Sequence, residues 1–515
     1  MHAVGIVLVL VVLATTVATF ARRLRIPAPS LLVLAGLAIA LIPGVPALHV
    51  PPQAIALVVL PPLLYASAEE LSLRDLRTVW RPVTILSFGL VFASAAAVGY
   101  AAVALTGMPP AMAFVLGAVL SSTDPVAVTA LGRRLALPGR VQVLVQAESL
   151  FNDATSLVLF KVAVGVAVAV GGTVNLPEAG GELVLLGGGG SLIGAAVAGL
   201  VWLVRRRTTD PVLETVIALV TPYAAYVLAE SAHTSGVTAV VIAGVLLGRS
   251  SHRLTDAHSR LQLNAVYAVV VFLLESVVFS IVGLELPTLV RALPAGRGWW
   301  PLQALALAAV LIAVRVLWTL PLTRAVKPTR GGLSWRVAGV VTWAGTRGVM
   351  PLAAALSIPL TADNGSTLAG RPLVLVLTTS VVVFTLVVQG LTLAAVVNRS
   401  GLALEPEHTA QEEDDARDAL NHAALEHVDH LATLEVMPAT AVDRVRRGLT
   451  ARLDHTAETP DGTTADATYR QLRREVIAVQ STELHRLYDE HRISDTTRRR
   501  LQHDLDREEA ALGSR

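Results

Sequence analysis

Two carboxylates, Glu148 and Asp153, lie in the run Gln146-Ala147-Glu148-Ser149-Leu150-Phe151-Asn152-Asp153-Ala154-Thr155-Ser156, inside a stretch otherwise apolar enough to cross a bilayer. A charge near a membrane centre costs between ~2.5 and more than ~10 kcal/mol, so an acid kept there marks an ion or proton site. Positions i, i+3 and i+4 of a helix share a face. Ser149, Asn152 and Asp153 meet that spacing and present a hydroxyl, an amide and a carboxylate together. All are oxygen donors of the kind that hard cations such as Na+ prefer. Glu148 stands roughly 140° from Asp153 around the same helix and is expected to serve another partner.

A second polar island, Ser121-Ser122-Thr123-Asp124-Pro125, falls one hydrophobic segment earlier. Proline in mid-span removes a backbone donor and clashes with the preceding turn, so a broken helix is expected there. Gly345-Thr346-Arg347-Gly348-Val349-Met350-Pro351 interrupts a later apolar segment in the same manner. Paired interruptions in the two halves of a chain point to the midplane site of a secondary transporter, where irregular backbone lines a cavity. Arg315 and Arg347 are cations inside spans and need partners. Glu148 is the expected partner of Arg347, and Glu275 that of Arg315, as structural ion pairs. Lys161 has no partner that the sequence identifies and is expected to snorkel toward the outer interface.

The elements that position these groups follow from composition. Of 515 residues, 53% are hydrophobic and 16% charged, with a mean hydropathy of +0.61, which describes a polytopic membrane protein. Cutting at Pro, Gly and charged clusters predicts about thirteen spans of ~20 residues each. The first, over 3–20, has its arginines after the apolar run, the reverse of a secretory signal, and is expected to be retained. Clusters such as Arg22/Arg23/Arg25, Arg74/Arg77/Arg81, Arg133/Arg134/Arg140 and Arg205/Arg206/Arg207 fall on alternate loops. By the positive-inside rule these loops are cytoplasmic, the N-terminus is outside and the C-terminus inside. After Arg399 the composition turns charged with helical apolar spacing, predicting a membrane domain over 1–400 and a soluble, cytoplasmic helical domain over 401–515. The chain has no cysteine, which excludes disulfides, thiolate metal sites and cysteine nucleophiles. No phosphate loop, nucleotide motif or hydrolase elbow stands out, so neither an enzyme, a cofactor nor a nucleic-acid partner is expected. Gly187-Gly188-Gly189-Gly190 is expected to permit close helix packing.

Ser-Ser-Thr-Asp-Pro-Val-Ala-Val at 121–128, Ala-Glu-Ser-Leu-Phe-Asn-Asp-Ala at 147–154, Ser-Gly-Val-Thr-Ala-Val-Val-Ile-Ala-Gly at 235–244 and Gly-Thr-Arg-Gly at 345–348 resemble the monovalent cation/proton antiporter family. The Asn-Asp pair resembles its NhaP-type sodium/proton exchanger branch, and the resemblance covers approximately 1–400. It implies an all-α membrane protein and a homodimer in the bilayer. Each protomer would have thirteen spans built from inverted repeats, with two crossed broken helices beside the site. It also implies that Asp153 is the ion- and proton-binding aspartate, that Ser149 and Thr123 are Na+ ligands, and that Asp124 and Asn152 support the site. Glu148 and Arg347 resemble the family's interhelical ion pair. One departure stands out: Leu60-Pro61-Pro62-Leu63-Leu64-Tyr65-Ala66 carries Ala66 where family members often carry an acid.

The expected activity is electroneutral exchange of Na+, with Li+ or K+ as further cations, for H+ across the plasma membrane by alternating access, in the service of pH homeostasis. The alternatives are a cation channel, which would conduct rather than exchange, and a transporter-derived membrane sensor signalling through 401–515.

Overall fold

The computed structural model describes residues 11–21, 28–42, 52–124, 139–169, 176–208, 210–254, 256–293, 298–325, 335–363, 365–401, 406–433, 439–453 and 467–513. Pro125, Pro438, Pro460 and the loop charges Arg22, Arg23, Arg25, Arg133, Arg134, Lys327 and Arg330 lie outside the described residues. The chain is all-helical, and among the described residues there is no strand, only an isolated bridge between Thr361 and Thr367.

The first part of the chain runs through α1 (Val11–Ala21), α2 (Ala28–Ala40), α3 (Pro52–Glu69), α4 (Leu73–Thr106), α5 (Pro110–Ser121), α6 (Gly139–Val168) and α7 (Leu176–Arg205). It continues with α8 (Pro211–Ser231), α9 (Gly236–Leu254), α10 (Ala257–Arg291), α11 (Trp300–Ala325), α12 (Trp335–Trp343), α13 (Val349–Leu356) and α14 (Arg371–Ser400). By length and composition, seven of these helices can cross a membrane. Most other predicted spans coincide with shorter apolar helices, so the count of thirteen is not fixed by helix length. Large apolar side chains face outward, with Leu192 at 75%, Val184 at 74% and Leu317 at 72% exposure. Such a surface suits lipid rather than water.

Helix α4 begins nine residues before the predicted span at 82, because Ser72 caps it by accepting the Asp75 N–H at 3.2 Å. Two long helices also contain π-helical turns that hydropathy does not reveal, Ile85–Leu90 in α4 and Thr385–Gln389 in α14. Such insertions re-aim side chains and recur at functional sites. The first delivers the Ser87 hydroxyl to α6 and the second the Thr385 hydroxyl to the interrupted segment at Arg347.

The described residues divide into two compact units. The larger contains the apolar helices. The smaller comprises 404–515 together with two short membrane-domain segments, 208–215 and 252–266, so its boundary is more interrupted than a single cut at 401. Its helices are α15 (Pro406–Thr433), α16 (Ala439–Leu453), α17 (Ala467–Asp489) and α18 (Asp495–Gly513). Leu420, Leu484, Leu501 and Leu505 form one apolar cluster, and Val428, Val442, Val445 and Val476 another. A buried Gln480–Asn421 hydrogen bond of 3.1 Å fixes the register between α17 and α15. Within the same unit Arg260 makes a forked ion pair with Asp506, with its Nε 2.9 Å from Oδ2.

Two expectations follow from this packing. A Cβ at Gly190 or Gly194 would overlap the backbone of Ser235 or Ala239, whereas one at Gly187 or Gly188 meets open space. Only part of the predicted glycine contact therefore packs α7 against α9. Gly194→Val should destabilise by about 1–3 kcal/mol through overpacking, while Gly188→Val should leave the thermal midpoint unchanged in detergent. The second expectation concerns acid. Burial works against the Asp495 charge, but Arg499 and Arg498 outweigh it and hold the carboxyl below its usual range. A depressed folded-state pKa contributes stability that is present above the unfolded pKa of about 3.9 and lost as pH falls through the lower folded value. Hydrogen-exchange protection of α18 should fall over that acid range, and Asp495→Asn should flatten the dependence.

Candidate functional site

The two interrupted segments meet. Helix α5 ends at Ser121, Ser122 is extended at φ −64° and ψ 145°, and Thr123 and Asp124 are non-helical. In the second segment residues 345–348 are non-helical between α12 and α13. Pro351, expected within that break, instead sits in the first turn of α13, where its missing N–H costs no hydrogen bond. Asp124 N–H donates to the Thr346 carbonyl at 2.8 Å, and the Thr346 hydroxyl donates to the Asp124 carbonyl at 2.9 Å. The Asp124 carboxylate lies directly over Gly348, where any Cβ would overlap it. Gly348 is the N-cap of α13, so the carboxylate faces the positive end of a half-helix.

Helix α6 passes beside this crossing with its polar face buried: Ser149 is 2% exposed, Asn152 0% and Asp153 6%. The Ser122 hydroxyl donates to Asp153 Oδ1, and the Ser149 hydroxyl donates to the Thr123 carbonyl. Asn152 Nδ2 donates to Thr123 Oγ1 at 3.2 Å. The amide oxygen of Asn152 is buried without a hydrogen-bond partner, a costly state for an acceptor unless a cation or proton donor meets it. Ser149, Asn152, Asp153, Thr123 and Asp124 are thus gathered in one place. Ser122, which the sequence reading places in the island without assigning it a partner, is the direct donor to Asp153. Its signal was its position immediately before the broken turn.

The arginines are paired differently from expectation. Glu148 meets Arg315, with Nη2 2.9 Å from Oε2 and a second contact of 2.7 Å. Arg315 also donates to the Val341 carbonyl at 3.0 and 3.1 Å. Arg347, the expected partner of Glu148, donates instead to the carbonyls of Leu120 and Gly345, each at 2.7 Å. The physical reason is shared. Leu120 and Val341 lie in the last turns of α5 and α12, where broken helices leave carbonyls unpaired, and a guanidinium there satisfies them and the helix dipole together. Glu275 does not pair with Arg315, which is committed to Glu148 and Val341. The π-turn residues complete the scaffold, since Ser87 donates to the Glu148 carbonyl at 3.2 Å and Thr385 Oγ1 accepts the Arg347 N–H at 3.2 Å.

Two further expectations are corrected or sharpened. Lys161 is not alone; it pairs with Glu230 at 2.5 Å, both side chains about one-third exposed. Ala66 leaves α3 without a carboxylate at that level, and Glu69 follows only at the C-terminal end of α3.

The observed pairing makes a direct test. Removing one member of a buried ion pair strands the other at a cost of roughly 3–5 kcal/mol. Glu148→Gln and Arg315→Met should each lower the thermal midpoint strongly, and the double variant should lose less than their sum. Glu148→Gln combined with Arg347→Met should show the weaker coupling; a larger coupling there than with Arg315 would contradict the geometry.

Comparisons with known proteins show the family and the fold. The family model described as sodium/hydrogen exchanger, transmembrane, matches residues 8–399. A relative from Mycobacterium tuberculosis named as a Na(+)/H(+) exchanger is 34% identical over 524 residues, covering 98% of this chain and 96% of its own. The Na(+)/H(+) antiporter ApNhaP of Aphanothece halophytica is 30% identical over 425 residues, covering 82% and 78%. Among solved structures, the sodium proton antiporter MjNhaP1 of Methanocaldococcus jannaschii shares the fold with a TM-score of 0.64 at 20% identity, over 76% of this chain and 99% of that one. With a family match over residues 8–399 and a relative 34% identical over nearly the whole chain, the chain belongs to the sodium/hydrogen exchanger family.

Proposed function

We propose that this chain exchanges Na+ for H+ at Asp153, electroneutrally and by alternating access, with Li+ or K+ as further cations. The observation that carries this reading is a buried carboxylate held by the Ser122 hydroxyl beside the unpartnered amide oxygen of Asn152. Cation and proton occupy the same carboxylate and exclude each other. If only the neutralised carboxylate crosses the hydrocarbon at low cost, the empty charged carrier is held back and the two fluxes are coupled. Asp153 carries the exchanged ion. Ser149 and Thr123 supply oxygen ligands, and Asp124 and Asn152 shape the site. Glu148 and Arg315 form a structural ion pair, while Arg347 holds the broken backbone. The reading includes a secondary transporter rather than an enzyme and a homodimer of about thirteen-span protomers in the plasma membrane. Its N-terminus lies outside, and residues 401–515 form a cytoplasmic domain.

Asp153→Asn should abolish Na+-driven proton flux in proteoliposomes while the protein still inserts and folds, since the amide keeps size but cannot trade a proton for a cation. Near wild-type flux in that variant would remove Asp153 from the mechanism. Competition provides the pH test. Protons bind the carboxylate that Na+ needs, so lowering pH raises the apparent Na+ constant, by about tenfold per unit well below the site's pKa and not at all above it. The maximal rate at saturating Na+ should change much less on the side where Na+ binds. Initial rates across a pH series decide the matter, and an apparent affinity independent of pH would require a separate proton site.

A further inference from the structure

Helix α4 is longer than a bilayer is thick. Its 34 residues, Leu73–Thr106, extend about 50 Å, against about 30 Å of hydrocarbon. No charged residue occurs from Pro82 to Thr106, whereas Arg74, Asp75, Arg77 and Arg81 crowd the first turns. In a bilayer the excess length falls at this charged start, level with the lipid headgroups.

The two faces of the helix meet different surroundings. The inner face is committed: Pro82, Val83, Leu86, Ser87 and Leu90 are buried, and Ser87 donates to the Glu148 carbonyl of α6 at 3.2 Å. The outer face is open. Arg77, Trp80, Arg81, Ile85, Phe88 and Phe92 are all exposed, Trp80 at 54% and Phe88 at 50%. Steps of three and four residues join them into one stripe. Among the described residues neither Arg77 nor Arg81 makes an ion pair. Asp75, the one acid of α4, stands about 200° round the helix from Arg77. The Arg81 guanidinium lies over the Trp80 ring, 5.5 Å from its centroid, so charge and indole occupy the same level.

Two exposed cations one turn apart, an indole beside them and large apolar side chains above repeat the polarity of a phospholipid. Guanidinium forks match phosphate oxygens, tryptophan favours the boundary between headgroup and hydrocarbon, and basic side chains at that level attract anionic headgroups. The geometry points to the outer face of α4 as a binding site for an anionic phospholipid. Arg77 and Arg81 hold its phosphate, Trp80 lies beside the headgroup boundary, and an acyl chain runs along Ile85, Phe88 and Phe92. The site is separate from Asp153 and does not depend on the exchange reading, requiring only that α4 crosses the bilayer.

The test is the thermal midpoint of the purified full-length protein in mild detergent, titrated with dioleoylphosphatidylglycerol, with zwitterionic dioleoylphosphatidylcholine and with inorganic phosphate. The anionic lipid should raise the midpoint saturably, and the other two should not. In Arg77→Gln/Arg81→Gln the lipid concentration giving half the effect should rise by about fivefold for each arginine removed. Arg206→Gln/Arg336→Gln removes as many charges from other helix ends and should leave that concentration unchanged. An equal response to phosphatidylcholine, or equal losses in the two double variants, would overturn the site in favour of general solvation by lipid or diffuse attraction of charge. An equal response to inorganic phosphate would overturn it in favour of a site for the free anion. A changed oligomeric state in Arg77→Gln/Arg81→Gln with an unchanged lipid response would assign the face to a second copy of this chain and overturn the lipid. Should that variant fail to accumulate, Arg77→Gln and Arg81→Gln singly carry the test, each with its own share of the loss.

Discussion

Every backbone carbonyl that a broken helix exposes inside hydrocarbon must find a donor, and in this protein that requirement falls on two arginines. Arg347 takes the Leu120 carbonyl at the end of α5, and Arg315 takes the Val341 carbonyl in the last turn of α12. Water would perform this task at a surface, but the bilayer core offers none. The breaks also satisfy one another, through the reciprocal bonds between Asp124 and Thr346. Among the described residues the two breaks are therefore cross-linked rather than left open. Ser122 and Thr123, outside helical geometry, meet α6 through Asp153, Ser149 and Asn152.

Charge is distributed according to the same constraint. Glu148 is fully buried and meets a guanidinium, so its charge is balanced inside the protein. Asp153 is nearly as buried, yet it receives only the Ser122 hydroxyl, and among the described residues it makes no ion pair. A carboxylate left in that condition has no charge from the described residues to balance it. Five residues apart on one helix, the two acids thus have opposite fates. The difference lies in the helices they face, α11 and α12 for Glu148 and the α5 break for Asp153.

Outside the site, the fold separates two kinds of surface. Small residues bring helices within backbone contact where they cross, as Gly36 and Gly283 do between α2 and α10 and Gly194 does against Ala239. Large apolar residues face outward, consistent with lipid. The smaller unit has its own apolar clusters and its own buried polar link between Asn421 and Gln480. Within that unit the Arg260–Asp506 pair ties the first turn of α10 to α18.

The grouping of Ser149, Asn152 and Asp153 was legible in the sequence because helical periodicity puts i, i+3 and i+4 on one face whatever surrounds them. The two interruptions were legible because proline and glycine act locally on the backbone, and the membrane class because hydropathy is a sum over residues. Partner choice was not. Pairing Glu148 with Arg347 and Glu275 with Arg315 treated arginines only as counter-charges, whereas each also has to satisfy carbonyls that exist only once the helices are broken and crossed. The π-turns that bring Ser87 and Thr385 to the site arise from how long helices accommodate their neighbours, and Lys161 finds Glu230 across a gap of 69 residues. Sequence by itself determined which residues could do the chemistry and which helix face they share. Tertiary structure alone decided which carboxylate meets a guanidinium and which receives only a hydroxyl, because that depends on distances between helices remote in the chain.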